Sequence, residues 1–234
     1  MTDKNKKRVI TIDGPAGAGK TTVSRLLADR LGYVYVDTGS LYRGVAYEVF
    51  RCSTNWQDDK ELDTLLSSIA FELKLDSAGV VYRLFSSGQD ISDYIRTPEI
   101  TMLSSDLSAK KAVRQALLGF QRDIAKKNDA VFEGRDMGTV VFPDADYKFF
   151  LSADLKTRAL RRYNEIINPE KSRLEDKPHQ TLDEIENAIC LRDKNDSSRD
   201  IAPLKPAYDA IIIDSTNLTS EEVVSKITAC ISLN

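Results

Sequence analysis

One histidine, His179, occurs in the whole chain of 234 residues. That scarcity excludes metal centres built from several imidazoles. His179 lies in the polar string "EDKPHQ", where a surface position is expected. The three cysteines, Cys52, Cys190 and Cys230, are widely separated and include no C-x-x-C pair. An odd, scattered set argues against a disulfide framework or a zinc site and suits a reducing compartment. No run approaches the ~20 apolar residues that a membrane-spanning helix needs. The apolar "VITI" that follows the charged "MTDKNKKR" is too short for a secretory signal. A surplus of one charge is lacking too: 33 basic and 36 acidic residues leave a formal net charge of −3. No overall basic field therefore recruits nucleic acid or an anionic membrane. The expectation is a cytoplasmic protein with neither as partner. Any anion site must come from arginines and lysines gathered locally.

What is present is an ordinary globular composition, with 41% hydrophobic and 29% charged residues. The chain is long enough for one large or two small domains. Short β-rich runs, "RVITID" (8–13), "YVYVD" (33–37), "AVFEG" (130–134), "YKFFL" (147–151) and "AIIID" (210–214), alternate with helical patterns. Val23, Leu26, Leu27 and Leu31 recur at helical spacing. Thr-Pro-Glu at 97–99 opens a helix predicted to run from Pro98 to about Lys127. Thr181 with Glu184, and Thr219 with Glu222, have the spacing of capping boxes. Near-continuous apolar strands alternating with helices predict an α/β fold, a parallel sheet covered on both faces. Between about Trp56 and Arg96 the rhythm changes to "IAFELKLD", "GVVYRLF", "SSGQ" and "DISDYI", an antiparallel β patch read as an inserted subdomain. The polar stretch "NPEKSRLEDKPHQ" (168–180) reads as a mobile loop between two helices.

The string "GPAGAGKT" (14–21) matches G-x-x-x-x-G-K-[ST] at every fixed position and lies between a predicted strand and a predicted helix. Gly14, Gly17 and Gly19 allow torsions that turn successive N–H groups inward as a nest for phosphate oxygens. The helix that follows adds its positive N-terminal end. Lys20 can span the β- and γ-phosphates, and the Thr21 hydroxyl can ligate Mg²⁺. These residues predict a nucleoside triphosphate bound with Mg²⁺. A GTPase switch would carry an Asn-Lys-x-Asp guanine reader, and the nearest string, "KNDSS", has the wrong order. Modest size and the inserted patch favour a kinase for a small acceptor over a mechanical ATPase.

Ligands of open α/β sheets lie beyond the carboxyl ends of the strands. Asp37, Thr38 and Arg43 follow "YVYV"; Glu133, Arg135 and Asp136 follow "AVF". Arg158 and Arg162 stand four residues apart in the helix after "KFFL", and the polar loop leads to "RDKNDSSRD" (192–200). In that nonamer Arg192, Asp196 and Arg199 are spaced i, i+4, i+7, which suits either a self-paired helical ladder or a wall facing a ligand. Guanidinium forks bind phosphate bidentately, and arginines near one rim favour the wall.

The strings "IDGPAGAGKTT", "YVDTGSLYR", "EGRDMGTVVFPDAD" and "RDKNDSSRDIAPLKPAYDAIIIDST" closely resemble the bacterial cytidylate (CMP) kinases, in order from about residue 8 to 230. The resemblance implies a single P-loop nucleoside monophosphate kinase domain. Its core would span about 1–55, 97–160 and 181–234, with an acceptor-binding insertion at about 56–96 and a lid at about 161–180. The implied reaction is transfer from ATP, with Mg²⁺, to CMP or dCMP. Gly14, Pro15, Ala16, Gly17, Ala18, Gly19, Lys20, Thr21 and Thr22 would hold ATP. Thr38, Arg43 and Arg135 match acceptor positions, the arginines serving its phosphate. Ser105, Arg114 and Asp136 match the positions that read the cytosine edge. Arg192, Asp196 and Arg199 match further acceptor contacts, with Asp196 on the ribose hydroxyls. Arg158 and Arg162 resemble lid arginines that close over the donor; with Lys20 and Arg135 they form the implied catalytic set. Glu133 would hold a water of Mg²⁺, a role for which Asp13 and Asp37 compete. The departure is a lid longer than usual for the family, in "NPEKSRLEDKPH". A monomer is the default expectation for one enclosed active site. The alternatives are a kinase for another small acceptor, such as UMP or a polyol acid, and a nucleotide-dependent regulatory switch.

Overall fold

The computed structural model describes residues 6–75, 82–167 and 180–232. The stretch 168–179, with His179 and the added length expected of a lid, lies outside them. The chain folds as two compact units, Met1–Val9 with Ala28–Glu133, and Ile10–Leu27 with Gly134–Asn234.

In the first unit β2 (Val34–Asp37) and β6 (Ala130–Gly134) pair in parallel, from Val34 opposite Ala130 to Asp37 opposite Glu133. Parallel neighbours need a long crossover, and here it contains most of the unit. Helix α2 (Thr38–Arg51) starts directly from β2, with Asp37 as its N-cap accepting the Ser40 N–H. Helix α3 (Asp59–Ser68) is capped by Asp58, whose carboxylate accepts the Lys60 and Glu61 N–H groups. It precedes an antiparallel sheet of β3 (Phe71–Leu75), β4 (Tyr82–Ser86) and β5 (Gln89–Asp90). The antiparallel patch expected from the sequence is thus present, with a helix in front of it that the strand-like reading passed over. Leu41, Val45, Ala46 and Val49 of α2 share one core with Leu62, Leu84, Ile91 and Ile95. Gly44 lets α2 approach: a Cβ there would stand 2.7 Å from Leu84 Cδ2 and 2.9 Å from Phe71 Cζ.

The single helix predicted from Pro98 to about Lys127 is corrected to two, α4 (Pro98–Leu107) and α5 (Lys111–Lys127). No proline or glycine marks the break. The Ser108 hydroxyl donates to the Ser105 carbonyl at 2.7 Å, and Lys110 is extended at ψ 126°. Arg114 Nη1 donates to the Ser108 carbonyl at 3.1 Å, fixing the corner through a side chain from the next helix.

In the second unit β1 (Val9–Asp13, of which Ile10–Asp13 belong here), β7 (Tyr147–Ser152) and β8 (Ile211–Asp214) form parallel pairs, with Ile12 opposite Phe149 and Phe149 opposite Ile211. Helices α1 (Lys20–Leu31, of which Lys20–Leu27 belong here), α6 (Leu155–Ile167), α7 (Leu182–Ser197) and α8 (Ser220–Ser232) connect and follow them. Ile10, Ile12, Phe149 and Leu151 are buried, as alternating strands and helices require. The capping boxes form as predicted, Thr181 with Glu184 and Thr219 with Glu222. Helix α7 stops at Ser197, so Arg199 is carried by the turn beyond it and not by the helix itself. Among the described residues no helix is long and apolar enough to cross a membrane.

Leu84 is 2% exposed and closes the core between α2 and the antiparallel sheet. Leu84→Ala is expected to lower the unfolding free energy by about 2–5 kcal/mol, read from denaturant titration.

Candidate functional site

The phosphate loop is shaped by how tightly it packs within the second unit. Gly14 has φ +148°, and a Cβ there would lie 2.1 Å from the Leu151 carbonyl oxygen. Gly17, at φ +76°, would bring a Cβ within 3.0 Å of Arg158 Cβ. The loop is thus seated on the end of β7 and the start of α6 at contacts that only glycine allows. Lys20 begins α1, is buried, and donates from Nζ to the Pro15 carbonyl at 2.7 Å. Thr21 and Thr22 are exposed on the first turn of the helix.

Arg158 of α6 is buried against this loop. Its Nη1 donates to the Ala16 carbonyl at 3.1 Å and to Asp193 Oδ2, and its Nε donates to the Ala153 carbonyl at 2.9 Å. Arg162 is placed differently: it is exposed and pairs with Glu165 at 3.0 Å. Its neighbour Arg161 reaches inward. Arg161 Nη2 donates to the Ser215 carbonyl at 2.6 Å and Nη1 to Ser215 Oγ at 3.2 Å. Ser215 Oγ in turn lies 3.1 Å from the Ala18 carbonyl of the loop. Sequence reasoning passed over Arg161 because the i, i+4 spacing pairs Arg158 with Arg162; i, i+3 spacing shares a face equally well.

A second cluster in this unit centres on Asp196, whose side chain is 3% exposed. Arg135 Nε donates to its Oδ2 at 3.0 Å, Arg199 Nη2 to its Oδ1 at 2.5 Å, and Arg192 Nε stands 4.0 Å from Oδ2. Three guanidinium groups around one carboxylate leave local positive charge in a chain that is negative overall. That arrangement can receive a polyanion.

Arg135 and Asp136 precede a π-helical turn, Met137–Val141. Asp13, the last residue of β1, accepts the Met137 N–H at 2.9 Å and the Gly138 N–H at 2.8 Å, one on each carboxylate oxygen. It therefore clasps the Arg135–Asp136 loop to the strand that enters the phosphate loop. Burial pushes its pKa up to about 6, against the two backbone hydrogen bonds; the nearby Asp136 charge adds to the rise and Lys20 opposes it.

In the first unit Asp37 and Arg43 form an ion pair at 2.7 Å. Burial works against the charge of Asp37, but the Arg43 and Arg96 charges, with hydrogen bonds from Arg43 and the Ser40 N–H, hold its pKa below the usual range. Thr38 Oγ1 donates to the Glu133 carbonyl and Tyr35 OH to Glu133 Oε2, each at 2.6 Å. Ser105 of α4 and Arg114 of α5 flank the corner at 108–110, and the Arg114 guanidinium lies 5.6 Å from the Tyr42 ring centroid.

For a metal, the donor set is informative. Among the described residues no group of three or more His, Cys, Asp or Glu side chains could hold an ion. A hydroxyl at the start of α1, beside the phosphate loop, suits a hard cation that keeps its waters and binds mostly through substrate phosphates, as Mg²⁺ does. The residues fit that group and do not form an all-protein cage.

Strand, glycine-lined loop and helix, with a buried lysine and arginines nearby, define a P-loop phosphotransferase of the α/β class. The chain belongs to the cytidylate kinase family. The family model described as Cytidylate kinase matches residues 10–233. The protein named Cytidylate kinase from Citrifermentans bemidjiense is 45% identical over 92% of this chain and 89% of its own length. That from Thermosipho melanesiensis is 46% identical over 93% and 94%, and that from Geobacter sulfurreducens 44% identical over 93% and 90%. A looser likeness, at TM-score 0.49 and 13% identity, covers 96% of the chain and 98% of a shikimate kinase from Bacteroides thetaiotaomicron; at that level it carries no argument.

Asp13 supplies a pH test of this geometry. Its folded pKa, about 6, lies above its ordinary 3.8. The associated stability is therefore fully present below about pH 3.8 and lost as pH rises through about 6, a change of about 3 kcal/mol. Asp13→Asn does not titrate, so the variant is expected to gain on the wild type by that order between about pH 4 and pH 7 in denaturant titrations. A gap that stays constant with pH would place Asp13 in a different environment.

Proposed function

We propose that this chain transfers the γ-phosphoryl group of ATP to CMP or dCMP, giving ADP and CDP or dCDP. The geometric observation that carries the reading is the Arg135–Arg192–Arg199 cluster on the buried Asp196, in the same compact unit as the phosphate loop. Membership of the cytidylate kinase family, with relatives of that name matched over nearly their whole length, supports the same acceptor. Residues 56–96 serve as the acceptor-binding insertion and 161–180 as the lid of a single kinase domain, which works as a cytoplasmic monomer.

The donor's phosphates lie on the backbone of Gly14 to Thr22, with Lys20 swinging from the Pro15 carbonyl to the β- and γ-phosphates. Magnesium carried in with ATP would be held by the Thr21 hydroxyl, with Glu133 acting through a water, and would supply charge neutralisation on the phosphates. Thr38, Arg43 and Arg135 take the acceptor phosphate. Ser105, Arg114 and Asp136 read the cytosine edge, and Asp196, between Arg192 and Arg199, takes the ribose hydroxyls. An acceptor phosphate oxygen, already anionic at neutral pH, attacks the γ-phosphorus as the bond to the β–γ bridging oxygen breaks. No strong general base is needed; positioning and electrostatic stabilisation by Lys20, Arg135, Arg158 and Arg162 supply the catalysis. Closure of the lid excludes water and suppresses hydrolysis of ATP.

An acceptor panel with ATP and Mg²⁺ is expected to show turnover concentrated on CMP and dCMP; equal rates with unrelated acceptors would defeat the proposal. Lys20→Ala is expected to abolish transfer while circular dichroism stays that of the wild type. Asp136→Ala is expected to weaken CMP binding roughly 10- to 100-fold and to narrow the preference for CMP over UMP. Unchanged kinetics with both nucleotides would remove Asp136 from base reading.

A further inference from the structure

Arg158, beside the phosphate loop, is held through three of its five N–H donors. An arginine has five N–H donors in a rigid plane. The Nε hydrogen goes to the Ala153 carbonyl, and the two Nη1 hydrogens go to the Ala16 carbonyl and to Asp193 Oδ2. No described residue takes the two hydrogens on Nη2. The loop also lies close against the helix beneath: a Cβ on Gly17 would stand 3.0 Å from both the Cβ and the carbonyl oxygen of Arg158.

The partner that completes this hold is Asp193 of α7. Its Oδ2 receives Arg158, while its Oδ1 is buried with no hydrogen-bond partner. A carboxylate kept partly desolvated in this way is poor stabilisation. It is, however, a good way to fix the plane of a guanidinium. Asp193 also stands three residues before Asp196, so one face of α7 carries both carboxylates: one grips Arg158 and the other gathers Arg135 and Arg199.

We propose that Asp193 is a positioning residue for phosphoryl transfer, fixing the Arg158 guanidinium against the Ala16 carbonyl so that its Nη2 edge faces the donor phosphates. This rests on the reading of Arg158 as a donor-side arginine. Asp193 touches no reacting atom. It sets the direction of two charged donors whose value to the transition state depends on ångström-scale placement.

The test compares Asp193→Asn, Asp193→Glu and Arg158→Ala in steady-state kinetics, with binding of a non-hydrolysable ATP analogue by calorimetry. Asp193→Asn keeps the shape and loses the charge; kcat is expected to fall roughly 10- to 100-fold and analogue binding to weaken, while KM for CMP stays within about twofold. Asp193→Glu, which displaces the carboxylate by one methylene, is expected to fall between wild type and Asn. In an Arg158→Ala background Asp193→Asn should cost nothing further. If Arg158→Ala is itself harmless, the donor-side reading of Arg158 fails. If Arg158→Ala is damaging and Asp193→Asn retains full kcat, the positioning role is overturned, as it is if KM for CMP rises in step with the loss of kcat. Should the Asn variant not fold, the Glu variant decides alone: a kcat loss at unchanged KM for CMP supports the role, and an unchanged kcat overturns it.

Discussion

The constraint on which this structure turns is the pairing of arginine with buried and half-buried carboxylates. A site for polyanions must gather guanidinium groups, and gathered guanidinium groups repel one another and resist desolvation. Here four of them are held by carboxylates. Asp37 holds Arg43, Asp193 holds Arg158, and Asp196 holds Arg135 and Arg199. Such pairs contribute little to net stability, because the cost of burying both charges offsets most of their attraction. Their effect is positional. Each of these arginines is kept in one orientation by its carboxylate.

The backbone obeys a matching constraint. A phosphate nest needs N–H groups turned inward, so carbonyls must turn elsewhere, and side chains take up those carbonyls. Lys20 takes that of Pro15, Arg158 that of Ala16, and Ser215 approaches that of Ala18. Asp13 applies the same logic in reverse, using one carboxylate to satisfy two N–H groups at the start of the π-helical turn. Its raised pKa is the consequence of doing so out of contact with water. Loop shape and charge placement are therefore one network, and preorganisation of this kind is what phosphoryl transfer requires of a protein.

Much of this was legible in the sequence. The string "GPAGAGKT" fixed loop, strand and helix together, since its glycines, Lys20 and Thr21 have few other uses in that order. The strands, both capping boxes and the antiparallel patch followed from alternation and local spacing. The failures were also local in appearance and tertiary in cause. Nothing in the string "LSAKK" announces the corner between α4 and α5, because Arg114 fixes it from six residues away. Helix α3 was hidden in a segment whose strands drew the attention. Arg161 was passed over because two arginines in a row fit the same helical pattern.

By itself the sequence determined which chemistry this chain can offer: a phosphate nest, a lysine at the head of a helix, and arginines following strand ends. It also determined the short-range geometry, because capping and helical spacing depend on neighbours three or four residues apart. Only the tertiary structure decided which carboxylate each arginine meets. Arg158 and Asp193 are 35 residues apart, Arg135 and Asp196 61. In "RDKNDSSRD" the sequence could suggest that Asp196 pairs with Arg192 and Arg199. It could not show that Arg135 joins them, or that Asp193 turns instead to Arg158 at the phosphate loop. Those partners are chosen by how helices seat on a sheet, and periodicity along a single chain segment carries no record of what lies across from it.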